Sequence, residues 1–303
     1  MEAHLEQRGG KLDMARVNLD LSDATVTLKD VEWTKAKGER LTGRVDLAQS
    51  DDGVWAINTL DFKGDDVSVE GSARFSETAG LLKAELTKVQ IGQAYDFSFI
   101  ADRKPADENG RVTESYTAVG SVFDMRPILD HLWKGRYNGL GREDRKITAG
   151  TIERFIRFDF ARLLMKDDLT WHHLEAEARI GPDLPEIFRL VGVDDNDVPF
   201  KARLLETKQG ERTLNVSSWD AGALARAVGL AQGIKGGTLN VDATLGDEEL
   251  LTGFNGKMRV ENFRVVDAPI LAQILTLGSL TGIVECLENK NAVALNAELH
   301  SAN

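Results

Sequence analysis

The run Gly-Thr-Leu-Asn-Val-Asp-Ala-Thr-Leu at residues 237–245 alternates small or apolar residues with polar ones. Neighbouring side chains on a β-strand point to opposite faces of the sheet, so this run predicts a strand with one apolar and one polar face. Residues 254–260 repeat the alternation after a polar turn. The two runs therefore predict an antiparallel β-hairpin whose apolar side chains share one face.

The alternation shifts by one residue after Val260, because the next apolar residues, Phe263 and Val265, have odd numbers. Such a shift would move the apolar side chains to the other face unless the strand contains a bulge or a turn. We therefore predict an irregularity near residues 261–262. It would keep Phe263 and Val265 on the face that Val260 occupies.

Helices are predicted where an aspartate precedes an apolar run at helical spacing. The carboxylate of such a residue accepts hydrogen bonds from the free backbone N–H groups at the start of a helix. After the last of these aspartates we expect two short apolar-faced helices within 268–287 and a final strand at 293–299. The four aspartates are Asp124, Asp183, Asp220 and Asp267.

Short alternating runs separated by turn residues continue through the rest of the chain, which is typical of an all-β protein. About 14 strands side by side would form a sheet too large to stay flat. We predict an all-β fold with short helices, in which an elongated, curled antiparallel β-sheet forms a half-open hydrophobic groove. A charged, glycine-rich stretch, 134–150, is predicted to be a mobile loop between an N-terminal part of the groove, 1–133, and a C-terminal part, 151–303.

Three segments resemble the C-terminal region of AsmA-like proteins, the group that includes TamB and YhdP. They are WDAGALARAVGL at 219–230, GGTLNVDATL at 236–245 and FRVVDAPILAQILTLGSLTGIVECL at 263–287. The resemblance covers roughly the last 90 residues. It implies a groove-shaped β-sheet in the periplasm of diderm bacteria, implicated in phospholipid transport between the inner and outer membranes and in outer-membrane integrity.

In that family the chain usually continues past the position of Leu299, whereas this sequence stops at Asn303, so we expect it to be a truncated piece of a longer parent. The export segment and the inner-membrane anchor would then precede Met1. Other partners, which we expect to be inner- and outer-membrane proteins, would bind through the missing parts. No apolar run in this sequence approaches the ~20 residues of a membrane-spanning helix, so we expect no transmembrane segment here.

The apolar positions of the strands are the predicted lining of the groove, and phospholipid acyl chains are the expected ligand. The helices of 268–287 are the predicted lid or end plug. The lining residues are Val17, Leu19, Val45, Leu47, Val67, Val69, Phe75, Leu82, Leu86, Phe97, Phe99, Leu174, Ile180, Phe200, Leu204, Leu239, Val241, Leu245, Met258, Val260, Phe263 and Val265, and the lid residues are Ile270, Leu271, Ile274, Leu275, Leu277, Leu280, Ile283 and Val284.

The net charge of −12 argues against a nucleic-acid ligand, because phosphate binding needs a basic face. His172 and His173 point to opposite faces of a strand and cannot share a metal. The acidic run 194–197 is followed by Val-Pro, where a calcium loop needs glycine and a distant glutamate, so we predict a solvated turn. Cys286 has no nearby histidine that would make it a nucleophile. We expect no metal, no cofactor and no enzymatic activity.

Two alternatives to a lipid-conducting segment stay open at this level. The first is a structural or adhesive β-rich module of a secreted or cell-envelope protein, which would have a closed core. The second is an enzyme on a β-sandwich scaffold, which would need converging carboxylates. The apolar alternation alone does not separate them, because it is equally typical of an ordinary sandwich core.

Overall fold

The chain is predominantly β in a computed structural model. Of the described residues, 70% lie in strands and 8% in helices, which confirms the predicted all-β fold with short helices. The described residues are 2–8, 11–50, 53–137, 152–181, 185–206, 211–230, 233–245, 254–265 and 293–300.

The chain divides into two compact units. The first contains Met1–His131 and Thr151–Phe160, and the second contains Leu132–Gly150 and Ala161–Asn303. Up to β11, the elements are β1 Glu2–Arg8, β2 Lys11–Asp20, β3 Val26–Leu28, a 3-10 turn Lys29–Val31, β4 Trp33–Lys35, β5 Leu41–Gln49, β6 Val54–Gly64, β7 Val67–Ser76, β8 Gly80–Ile91, β9 Tyr95–Lys104, β10 Val112–Asp124, α1 Arg126–Tyr137 and β11 Ile152–Leu164.

The remaining elements belong to the second unit. Strand β11 contributes residues to both units, whereas the sequence-based division places all of 151–303 in one part. The elements are β12 Thr170–Ile180, β13 Pro185–Val193, β14 Pro199–Glu206, β15 Arg212–Ser218, α2 Ala221–Ala227, β16 Ile234–Leu245, β17 Phe254–Val265 and β18 Val293–His300.

In the first unit the strands follow the order β1-β2-β5-β6-β7-β8-β9-β10-β11. Each pair from β1 to β10 is antiparallel, and several pairs contain a register shift. Despite the shifts, apolar residues stay opposite one another on one face. One row crosses six pairs, and its residues are Val17, Val45, Leu60, Gly71, Leu86, Phe99 and Ala118.

Strand β11 runs parallel to β10. Arg154 near the start of β11 lies 3.0 Å from Glu114 near the start of β10. Phe160, later in β11, contacts Phe123 near the end of β10, with ring centroids 5.3 Å apart. Parallel neighbours need a crossover connection, and this connection contains α1. The sheet is therefore mixed, and the predicted antiparallel pairing is corrected at this pair.

The segment 21–40, which joins β2 to β5, covers one end of the apolar face in the first unit. Trp33 from this segment packs with Val67, Val89 and Tyr95. Its indole Nε1 donates a hydrogen bond to Asp66 Oδ2 at 3.1 Å. We call residues 21–40 the covering segment. Sequence analysis predicted no such cover.

Lys35 holds the covering segment together from inside. Its side chain is buried at 1% exposure. The ammonium group donates to the backbone carbonyls of Ser22 at 3.1 Å, Ala24 at 2.8 Å and Ala36 at 2.6 Å. All three of its N–H donors are thus satisfied, which compensates for taking this group out of water.

In the second unit the order continues from β11 through β12 to β18. The pairs from β12 to β18 are antiparallel. Helix α2 covers one end of the apolar face, where Ala221 packs with Ile234, Val260 and Phe263. Asp220 caps this helix, since its Oδ1 accepts a hydrogen bond from the Ala223 N–H at 2.8 Å.

The predicted helices have different outcomes. Those after Asp124 and Asp220 are confirmed as α1 and α2. The helix predicted after Asp183 is wrong, because Pro185–Val193 is strand β13. That segment finds hydrogen-bonding partners on both sides, in β12 and β14, and this pairing overrides a helix-like start.

The two helices of 268–287 lie outside the described residues, and residues 134–137 of the predicted loop belong to α1. Among the described residues, the helices lack the length and apolar character needed to cross a membrane.

The predicted irregularity at residues 261–262 is confirmed. The register shifts between Val260 and Phe263, and Asn262 has φ 56, in the left-handed region. Val260 and Phe263 are consequently both buried in the cluster under α2. The final strand is also confirmed as β18, which among the described strands pairs with β17 alone.

The bulge allows a stability test in which packing plays little part, because Asn262 is exposed. We expect Asn262→Gly to leave the melting temperature nearly unchanged, since glycine adopts positive φ without steric cost. Asn262→Val should destabilise the chain by about 1–2 kcal/mol, because a β-branched residue fits this conformation poorly. The measurement is the melting temperature of each variant compared with that of the unchanged chain. A valine variant as stable as the glycine variant would contradict the bulge.

Candidate functional site

The predicted lining residues of the first unit fall on one face of its sheet. Their positions follow from the cross-strand pairs, in which directly opposed residues share a face. We call this the first apolar face. The predicted residues on it are Val17, Leu19, Val45, Leu47, Val67, Val69, Phe75, Leu86, Phe97 and Phe99.

These side chains are not sealed in a core. Val67, which packs under Trp33, is buried at 7% exposure, whereas all the others are half-buried. Phe158 in β11 and Leu81 in β8 are exposed at 38% and 45%. Away from the covering segment, the first apolar face therefore presents apolar surface that water reaches.

Sequence reasoning missed several residues of this face. Leu82 is displaced by a register shift, so Leu81 opposes Phe75 in its place. In β6 the apolar positions change from Trp55 and Ile57 to Leu60 and Phe62. The reason is a bulge at Asn58: Leu47 of β5 opposes Ile57, but Asp46 opposes Thr59. The sequence contains a signal for this bulge: these apolar residues have odd numbers before Asn58 and even numbers after it.

Aromatic side chains form a cluster of ring contacts on the first apolar face, beside the covering segment. Phe123 contacts Tyr95, Phe97 and Phe160, with ring centroids 5.2, 5.4 and 5.3 Å apart. Burial raises the pKa of Tyr95 to about 12. Its hydroxyl donates a hydrogen bond to the backbone carbonyl of Asp124 at 3.4 Å, which anchors the ring cluster to the end of β10.

The opposite face of the first unit is polar and ion-paired. Asp46 lies 2.7 Å from Arg44 and 2.8 Å from Arg16, and these arginines hold its pKa well below the usual range. Asp61 and Glu70 lie 3.1 and 3.2 Å from Lys63 and raise the pKa of that lysine. The polar face also carries a shallow depression of about 410 Å³, which Asp61, Glu70 and Glu85 make acidic.

The second unit has an apolar face of its own, which we call the second apolar face. One row crosses six strand pairs, from β12 to β18. Its residues are Ala176, Leu190, Ala202, Val216, Val241, Met258 and Ala297.

Burial on the second apolar face is greater than on the first. Among the predicted lining residues, five are buried and four are half-buried, and α2 accounts for part of the difference. Of the remaining two, Leu245 lies directly opposite Phe254 and Val265 directly opposite Ile234 in the pairing of β16 with β17. The predicted lid residues, within 270–284, lie outside the described residues. The buried five are Leu174, Phe200, Leu204, Val260 and Phe263, and the half-buried four are Ile180, Leu239, Val241 and Met258.

The acidic run 194–197 forms a turn, as the sequence predicts, whereas His172 and His173 lie in strand β12. Asp194 Oδ1 accepts hydrogen bonds from the backbone N–H groups of Asn196 and Val198 at 2.8 and 3.0 Å, so the acidic run is a hydrogen-bonded turn. Asp195 lies 3.1 Å from His172 Nε2. Within the described ranges, histidine, cysteine and carboxylate side chains form no cluster of three.

Comparison of the chain with protein-family models, with curated proteins and with solved structures gives no match. A functional assignment therefore rests on the geometry of the two apolar faces and on the residue patterns of the sequence.

A matched pair of variants tests the difference between covered and uncovered parts of the first apolar face. We expect Val67→Asp, under Trp33, to cost several kcal/mol, because a buried carboxylate has no partner there. Val45→Asp should cost about 1–2 kcal/mol, because its half-buried position leaves the charge near water. Chemical denaturation of both variants measures this. Equal, large losses would mean that the face is a sealed core.

Proposed function

We propose that the chain binds the acyl chains of phospholipids on its two apolar faces and acts, without catalysis, as a lipid-conducting segment of an AsmA-like protein. The observation that carries the proposal is the half-burial of nearly every predicted lining residue on the first apolar face. A monomeric protein rarely leaves so contiguous an apolar surface in contact with water unless it binds something there.

The energetics favour acyl chains as the occupant. Burying one methylene contributes about 0.8 kcal/mol, so two acyl chains gain on the order of 20 kcal/mol over free exposure to water. Successive strand pairs present similar walls of valine, leucine, alanine, glycine and phenylalanine. A lipid that moves from one pair to the next therefore meets no deep energy minimum. It slides along the face, and another component has to supply the direction.

The residue patterns at 219–230, 236–245 and 263–287 support a periplasmic location, because they resemble AsmA-like proteins. There the parent protein would be anchored in the inner membrane and would carry phospholipid between the inner and outer membranes. Inner- and outer-membrane proteins would complete the path. Loss of the segment would weaken the outer membrane, because its lipid supply would fall.

A structural or adhesive β-rich module is the second candidate, and the second apolar face favours it. Leu174, Phe200 and Leu204 are buried there as in an ordinary core. A module of this kind needs no ligand, and its faces are filled by its own side chains. The two candidates differ in what the half-buried residues of the first apolar face contact in solution.

Photo-crosslinking separates the candidates. A benzophenone side chain placed at Val69 or Val241 should capture phospholipid from vesicles, because both positions lie on apolar faces. The same group at Glu70 or Asp242 should capture little, because adjacent residues on a strand point to opposite sides. Mass spectrometry of the crosslinked protein provides the readout.

The proposal would be contradicted if the apolar-face and polar-face positions were labelled equally, or if none of them was labelled. The variant Val45→Asp serves as an independent arm, because an acyl chain at that point would have to desolvate the charge. It should lower lipid capture at Val69 several-fold while the chain stays folded. Glu85→Gln on the polar face is the matched control and should leave capture unchanged.

A further inference from the structure

Four polar side chains form a charged cluster on the first apolar face, at the end of the strands away from the covering segment. Alternation along β9 leads from Phe99 through Ala101 to Arg103, which directly opposes Glu114 of β10. Two residues along β10, Tyr116 shares the face of Glu114. Arg154 joins them from β11. These four residues, Arg103, Glu114, Tyr116 and Arg154, are the charged cluster.

Glu114 lies at the centre of the cluster and is buried at 8% exposure. Its carboxylate is 3.0 Å from Arg154 Nε and 3.4 Å from Arg103 Nη1. The hydroxyl of Tyr116 donates a hydrogen bond to the same carboxylate at 3.0 Å. Two guanidinium groups against one carboxylate leave the cluster with a net positive charge.

Both guanidinium groups keep donors for a further partner. A guanidinium carries five N–H donors. Among the described residues, Arg154 donates from Nε to Glu114 and also hydrogen-bonds to Tyr116. The contacts of Arg103 use Nη1, which also donates to the Ala79 carbonyl at 2.9 Å. The side chains remain 34% and 30% exposed. Paired guanidinium groups of this kind suit a phosphate, whose oxygens accept hydrogen bonds from planar donors.

The distance from the cluster to the covered end fits one lipid. Six residues separate Arg103 from Phe97 on β9, which corresponds to about 20 Å of strand. One leaflet of a bilayer has a hydrocarbon thickness of about 15 Å, half of the ~30 Å core. Acyl chains that start at the cluster and follow the strands therefore reach about as far as Phe99, roughly 5 Å short of Phe97.

We propose that Arg103 and Arg154 bind the phosphate of a phospholipid headgroup while its acyl chains lie along the strands of the first apolar face. This inference rests on the proposed function and adds a headgroup site to it. Glu114 is a positioning residue, because it holds both guanidinium groups at the end of the face. Its negative charge also weakens the attraction for an anion, which keeps the lipid exchangeable.

The test compares two fluorescent lipids with identical acyl chains, NBD-phosphatidylglycerol and NBD-diacylglycerol. Diacylglycerol lacks the phosphate, so its affinity reports the apolar face alone. We expect Arg154→Gln to weaken binding of phosphatidylglycerol by about tenfold, as for a lost charge-assisted hydrogen bond. The affinity of diacylglycerol should change by less than about twofold.

Two further variants separate a binding role from a structural one. Glu114→Gln keeps one oxygen acceptor for the guanidinium groups but removes the negative charge beside the phosphate, so it should tighten phosphatidylglycerol about two- to threefold. A purely structural role for Glu114 predicts weaker binding of both lipids. Arg44→Gln on the polar face is the matched control: it removes an ion-paired arginine and one charge from the same unit, and should change neither affinity.

The outcomes distinguish the two proposals. If both lipids bind and Arg154→Gln lowers both affinities equally or neither, the headgroup site is wrong and the proposed function stands. If glycerol 3-phosphate competes as well as whole phosphatidylglycerol, the cluster is a site for free phosphate and the inference is overturned. If neither lipid binds the folded wild-type chain, the proposed function is wrong and the headgroup site falls with it.

Discussion

Contacts between apolar side chains on neighbouring strands stabilise the strand pairs of each unit, and the other features of the fold depend on keeping those side chains on one face. A one-residue slip would turn a whole strand inside out. The chain contains such slips, at Asn58 in β6 and at Asn262 in β17, and each is absorbed by a bulge whose extra residue is an exposed asparagine. The rows from Val17 to Ala118 and from Ala176 to Ala297 therefore stay continuous across many strands.

A continuous apolar face has to be covered or occupied. Each unit covers one end: the first with residues 21–40, braced internally by buried Lys35, and the second with helix α2. The first apolar face stays half-buried beyond its cover and finishes at a buried glutamate flanked by two arginines. An amphiphile matches that sequence of surfaces, because its hydrocarbon part needs the apolar rows and its phosphate needs the guanidinium groups.

Many strands and the direction of their side chains were predictable from sequence, because alternation is a local signal that each strand carries by itself. The exceptions, Leu82 and the apolar residues of β6, lie where a register shift changes the parity. The bulge near Asn262 was predictable for the same reason, since parity changes within one run. The cover by Trp33 was not, because it depends on a contact with Val67 and Tyr95 far along the chain. The parallel pair of β10 and β11, strand β13 and the contact of Glu114 with Arg154 likewise follow from tertiary pairing rather than from local pattern.

The most direct measurement of lipid binding is native mass spectrometry of the purified chain after incubation with phospholipid vesicles, followed by lipid extraction. Acyl chains held on the first apolar face predict a folded protein that carries diacyl phospholipid in an amount comparable to the protein itself. A chain that melts cooperatively, and is therefore folded, yet emerges from the vesicles without lipid would contradict the account. The half-buried face would then belong to a module that binds through other chemistry.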